Sequence, residues 1–210
     1  MINYEKVLIL IPSNHLDLAK VYYLIANVHA ETQNYSEALF NHEKALKIYE
    51  SHLLSAYNPC HEKAVILQGI AYVHLLTENY ELALVNYKNA LTIGLTAPTQ
   101  IISTYNIIGL LYKNQFKNYS EALINYKKAL SIKLKYLSSD DTDIADLYIS
   151  VAITQSNKKI YTGALINLIR ALKIYENINS SDHPYIPKIQ NGIKEMKEVL
   201  SSVKTKKQVK

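Results

Sequence analysis

Apolar residues recur along most of this chain at spacings of three and four, the mark of amphipathic helices. Within residues 118–132, Tyr119, Ala122, Leu123, Tyr126, Ala129, Leu130 and Ile132 form one stripe. Four such segments align without gaps: NYSEALFNHEKAL at 34–46, NYELALVNYKNAL at 79–91, NYSEALINYKKAL at 118–130 and IYTGALINLIRAL at 160–172. Their starts are separated by 45, 39 and 42 residues. Before each lies a second helical pattern, at 18–29, 63–74, 102–112 and 144–153, closed by a short polar turn. Repeat three carries one extra residue in that turn, around Lys113 to Lys117. Each unit therefore reads helix, tight turn, helix, loop. Pro59, Pro98 and Pro184 mark the loops, because proline breaks a helix interior. Asp17, Glu62 and Asp143 fall near predicted helix starts, where the dipole favours a carboxylate.

A single helix pair cannot bury its own apolar stripe, whereas stacked pairs bury a continuous core. Small residues at fixed places predict close helix approach. Ala26, Ala71, Gly109 and Ala152 share one position of the first helix. Ala38, Ala83, Ala122 and Ala164 share another, on the second helix, and Ala45, Ala90, Ala129 and Ala171 a third. A bulky side chain at any of these would overpack the stack at a cost of about 1–3 kcal/mol.

The order aromatic, aliphatic-small, aromatic, then alanine, aromatic, alanine resembles the tetratricopeptide repeat. Repeat three carries it most fully, in Tyr105, Ile108-Gly109, Tyr112, Ala122, Tyr126 and Ala129. The period of about 42 residues is similar to the kinesin-light-chain type of this repeat, as are Asn14-His15 and Asp182-His183-Pro184. The usual tryptophan is missing, and Tyr or Leu stands in its place. The resemblance implies an all-α fold, a right-handed superhelical solenoid of antiparallel helix pairs. It divides the chain into a partial repeat at 1–13, full repeats at 14–57, 58–96, 97–138 and 139–181, a capping helix at 182–203 and a basic, disordered tail at 204–210.

The two ends differ. Residues 3–9 match 41–47, so the chain begins inside a second helix. That points to a fragment of a longer protein or to a cap of the array, and its uncovered apolar residues invite self-association. At the other end Ile186, Ile189, Ile193, Met196, Leu200 and Val203 form one stripe of a single helix, as a solenoid cap requires.

Composition narrows the function. With 5 Gly and 5 Pro in 210 residues, turn-rich sandwiches and barrels are disfavoured. One cysteine, Cys60, excludes an internal disulfide framework, and no run of apolar residues is long enough to span a bilayer. The expectation is a cytoplasmic protein without a membrane partner. The net charge of +5 is concentrated in residues 197–210, where five lysines face Glu198. The body is nearly neutral, and Arg170 is the one arginine beside 22 lysines. Nucleic-acid readers usually present a basic stripe rich in arginine, so that class is disfavoured.

Catalytic and metal chemistry finds no support. No HExxH, GxSxG or glycine-rich phosphate loop occurs. His29 and His74 share a position normally filled by a packed aromatic, and His15, His61 and His183 fall in separate loops. Cys60-His61 are neighbours, but read as a loop they lack the pocket and third group that a nucleophile needs. Asp140-Asp141 read as loop residues and not as an acid–base pair. The expectation is no enzyme, no metal, no cofactor and no small-molecule substrate.

What remains is a protein or peptide partner. In the family that the chain resembles, first helices line a groove that holds peptides. The expected groove residues are Tyr23 and Asn27 in repeat one, Gln68 and Tyr72 in repeat two, Asn106, Leu110 and Lys113 in repeat three, and Ile149 and Ile153 in repeat four. The amides can both donate to and accept from a peptide backbone, and the apolar side chains can seat anchors. Asn106 matches an asparagine common at this place in kinesin-light-chain-like repeats. The lysine–asparagine clamp by which chaperone-binding relatives hold a carboxylate is not matched, because Tyr23 stands at its first lysine. The expected function is a non-catalytic adaptor or scaffold, or else the regulatory or targeting region of a longer enzyme or motor-associated protein.

Overall fold

The computed structural model describes residues 16–51, 60–136, 142–177 and 184–208, with side chains as far as residue 203. Among them are nine helices and no strand: α1 (Leu16–Glu31), α2 (Tyr35–Ser51), α3 (Cys60–Leu76), α4 (Tyr80–Ile93), α5 (Pro98–Asn114), α6 (Tyr119–Tyr136), α7 (Thr142–Asn157), α8 (Tyr161–Asn177) and α9 (Tyr185–Gln208). The chain divides into two compact units, Met1–Ala97 and Pro98–Lys210. In the first, α1 packs on α2, α3 on α4, and α2 on α3. In the second, α5 packs on α6, α7 on α8, α6 on α7, and α8 on α9. The expected partial repeat at 1–13, along with His15, Pro59, Asp140-Asp141 and His183, lies outside the described residues.

The helix starts follow the local chemistry. Asp17, Glu62 and Asp143 each sit in a first turn. Pro98 opens α5, where its missing N–H costs nothing. The Asn118 carboxamide oxygen accepts from the Glu121 N–H at 3.2 Å and caps α6.

Each first helix ends in the same turn. Gln33, Glu78, Lys117 and Lys159 adopt left-handed backbone with φ of 62°, 60°, 52° and 62°. A residue in this conformation lets the next N–H reach back over the last turn. The N–H of Asn34, Asn79 and Ile160 donates to the carbonyl of His29, His74 and Gln155, each at 2.8 Å. In repeat three the Asn118 N–H reaches Tyr112, one residue further back, which absorbs the extra residue seen in the sequence. A second regularity lies in the second helices. The Asn41, Asn86, Asn125 and Asn167 amides donate to the carbonyl four residues earlier, at 2.8–3.0 Å.

The small residues pack as their spacing predicts. All eight alanines of the two second-helix positions are fully buried, as are Ala26 and Ala71. At Gly109 a β-carbon would lie 2.8 Å from the Tyr126 ring, which is wholly buried, so the first helix of repeat three must carry glycine there. In the second unit a single apolar cluster runs from Ile102 on α5 through Tyr126, Val151, Ala171 and Tyr175 to Ile189 and Met196 on α9.

Two expectations are corrected. Cys60 and His61, read as loop residues, are the first two residues of α3. The His61 ring Nδ1 is hydrogen-bonded to the Thr96 hydroxyl at 3.1 Å. The capping helix does not stop at residue 203 but continues to Gln208, so residues 204–208 are helical and not a disordered tail. After residue 203 no glycine or proline intervenes to break the helix before Gln208.

Candidate functional site

None of the nine expected groove residues is buried. In the first unit Tyr23 is only half available. Its ring lies 5.7 Å from the His42 ring at an angle of 50°, packed on the core. Asn27 and Gln68 are partly exposed, and Tyr72 is 48% exposed on α3.

His42 is the unusual residue of this unit. It fills the place taken by Tyr87, Tyr126 and Leu168 in the other repeats and is buried, with no hydrogen-bond partner for either ring nitrogen. Burial lowers its pKa from the ordinary 6.5 to about 4. It presses on Gly69, where a β-carbon would collide with the imidazole. His74 is also held below the usual histidine range by burial, opposed by the Glu43 carboxylate. Neither pattern is that of a metal ligand, and among the described residues no group of His, Cys, Asp or Glu could hold a metal ion.

The second unit brings several expected residues into two clefts. One, of about 420 Å³, lies between α5 and α7 and is the more polar of the two, with Ser103, Asn106, Asp143, Asp146 and Ser150 on its walls beside Ile102 and Leu147, and Lys133 at its base. The other, of about 490 Å³, lies between α7 and α9 and is mainly apolar. Ile149 and Ile153 line it opposite Ile189 and Met196, over a floor that includes Leu168. Leu110 is exposed on α5 but lines neither cleft. Lys113 is half-buried, and burial lowers its pKa.

Two polar residues of this region, Lys133 and Tyr175, escaped the expected site, and each meets a carboxylate of α7. Lys133, on α6, is buried and forms an ion pair with the exposed Asp143 of α7. Tyr175, on α8, is buried and donates its hydroxyl proton to Asp146 at 2.6 Å. Burial and the Asp146 carboxylate hold the Tyr175 phenol well above its usual pKa. Asp146 carries a sequence signal, since it shares its motif position with Lys20, Val65 and Ser103 on the outward-facing series of first helices. Lys133 and Tyr175 carry a weaker one: they share a second-helix position with Tyr49 and Gly94, which gives no hint that it reaches toward α7.

The second helices also expose an apolar residue at one shared position, as Phe40, Val85, Ile124 and Ile166. The repeat alignment could have identified this series, because the position never carries a charge.

No helix among the described residues is long and apolar enough to cross a membrane. No protein-family model and no curated protein matches the chain. Solved structures do. The fold superimposes on BtubC (BKLC) from P. vanneervenii with a TM-score of 0.73 at 15% identity, covering 94% of this chain and 79% of that one. A Podosopora anserina protein, described as having nearly identical TPR-like repeats of kinesin-light-chain type, gives 0.67 at 15% identity, over 91% and 95% of the two chains. The apo form of RapI gives 0.67 at 20% identity over 88% of this chain, which spans 64% of RapI. The architecture is therefore that of a helical array of tetratricopeptide-like repeats, similar to those of kinesin-light-chain type.

Proposed function

We propose that this chain is a non-catalytic protein-interaction module that holds an extended peptide segment of a partner across the exposed faces of its first helices. The observation that carries this reading is the pair of clefts on α7. Asn106, predicted from its motif position, lines the polar one, and Ile149 and Ile153 line the apolar one. An amide beside an apolar recess is what a peptide needs: a backbone partner and a seat for one anchor side chain. The likeness to tetratricopeptide-like arrays agrees with an interaction role, since solenoids present extended surfaces to partners.

The test is selection from a random twelve-residue peptide library displayed on phage, using the full chain and an Asn106→Ala/Ile153→Ser variant. Both substitutions fall on accessible positions, so the variant should keep its helical circular dichroism. Convergent sequences enriched by the wild type and lost by the variant are the expected result. Absence of any convergent sequence, or equal enrichment by both proteins, overturns the reading.

A further inference from the structure

We infer that the two clefts on α7 read a basic side chain followed two residues later by an apolar one, and that Asp146 selects the base. This rests on the peptide-binding reading above and adds the chemistry of the ligand.

Asp146 lines both clefts, so it stands where the polar one meets the apolar one. Its orientation is held from below. The Tyr175 hydroxyl donates to one carboxylate oxygen at 2.6 Å, and the Tyr175 ring is itself buried and packed edge-on against Tyr185, 5.9 Å between centroids. An oriented acceptor loses little freedom when a ligand arrives, which raises the return on each bond formed.

The balance of charge decides the sign of the ligand. Lys133, the cation of the polar cleft, is already engaged with Asp143 and has a side chain only 6% exposed. Asp146 is exposed and makes no ion pair with any described residue. At the rim of the apolar cleft Lys188 lies 5.5 Å from the Tyr185 ring centre, while Glu195 accepts from the Asn191 amide at 2.7 Å. Asp143, Asp146 and Glu195 thus outnumber Lys133 and Lys188. An anionic side chain entering here would meet like charge, and a cation would meet a fixed carboxylate. Arginine fits best, because its five donors can serve Asp146 together with the Asn106 carbonyl and the Ser150 hydroxyl.

Geometry sets the spacing. The clefts flank α7, so their centres lie about one helix spacing apart, roughly 8–10 Å. In an extended peptide, residues i and i+2 share a side and lie about 7 Å apart, and a long basic side chain covers the remainder. The apolar residue then enters between Ile149, Ile153 and Met196, above a wall formed by Leu168 and Gly192.

Fluorescein-labelled decapeptides of glycine and serine carrying a central Arg-x-Leu test this, with Gln or Glu in place of Arg and Ala in place of Leu. Fluorescence polarisation is read with the full wild-type chain, Asp146→Asn and Tyr175→Phe. The Arg-x-Leu peptide should bind about tenfold more tightly than its Gln counterpart, as a hydrogen-bonded charge pair does. That advantage should vanish in Asp146→Asn, shrink in Tyr175→Phe and fall as salt rises. Equal or better binding of the Gln or Glu peptides, or an arginine preference that survives Asp146→Asn, overturns the inference. If none of these peptides binds while the phage selection yields other convergent sequences, the basic–apolar pattern is wrong and peptide binding stands. If the selection also yields none, both fall.

Discussion

The two units repeat the same helix pair and differ in how some of their buried polar side chains are paired. In the first, the α2 imidazole of His42 is packed between Tyr23 and Gly69 with neither nitrogen bonded. In the second, buried polar groups reach across helices to partners. Lys133 meets Asp143, Tyr175 meets Asp146, and the Asn167 amide donates to the Gln155 carbonyl oxygen at 2.8 Å. The Tyr126 hydroxyl and the Gln100 carboxamide oxygen are exceptions there, enclosed without a partner. A buried group without a bond keeps its desolvation cost, whereas a bonded one recovers most of it. The lesson is that one repeat frame can enclose a polar residue in its packing layer at a cost, or join it to a partner on a neighbouring helix.

The sharpest way to break this comparison is acid. His42 has a folded pKa of about 4, below its unfolded 6.5, so the unfolded chain binds the proton first. The stability of neutral His42 is therefore complete above pH 6.5 and is lost as the pH falls from there through about 4. A shift of this size corresponds to about 3 kcal/mol. Hydrogen exchange at pH 7 and pH 4.5 should show α2 and α3 losing protection before α6 and α8. His42→Leu, which installs the residue found at Leu168, should remove that difference. Equal loss in both units, or no change in the variant, would show that His42 is not the cause.

The second contrast concerns the Lys133–Asp143 pair. Asp143→Ala takes a carboxylate from a buried ammonium and should lower stability by about 1–3 kcal/mol. Lys133→Met removes the charge and keeps the volume, and should come close to neutral. Urea unfolding of the two variants decides this. If Lys133→Met costs more than Asp143→Ala, the lysine stabilises the unit by contacts other than this ion pair.

The smallest effect should be common to both units. Glu78→Gly and Lys159→Gly replace left-handed residues by the one residue that adopts this conformation without strain. Each should raise stability by up to about 1 kcal/mol, seen as a higher thermal midpoint. A gain in one unit and a loss in the other would mean that the two turns differ in ways their matching hydrogen bonds conceal.

Much of the fold was legible in the sequence because it is local and periodic. The three-and-four spacing marked every helix pair, and the alanines at 38, 83, 122 and 164 lie at full burial. Asn106, Ile149 and Ile153 were legible for the same reason, since motif position places them on the outward face of a first helix. The end of α9 was misjudged because the apolar stripe stops at Val203, although lysine and glutamine are good helix formers that carry the helix on to Gln208. The helical start at Cys60 was missed because Pro59 was taken to mark a loop that continues beyond it.

What the sequence determined by itself is the repeat: where helices start, which face carries small residues and which first-helix side chains point outward. These depend on neighbours three, four or 42 residues away, and a single chain records such spacings. Only the tertiary structure decided that the chain divides after Ala97, that His42 is enclosed without a bond, and that Asp146 stands between two clefts over Tyr175. Those outcomes depend on which side chains from different helices meet, and on the water excluded when they do, and no spacing along the chain encodes either.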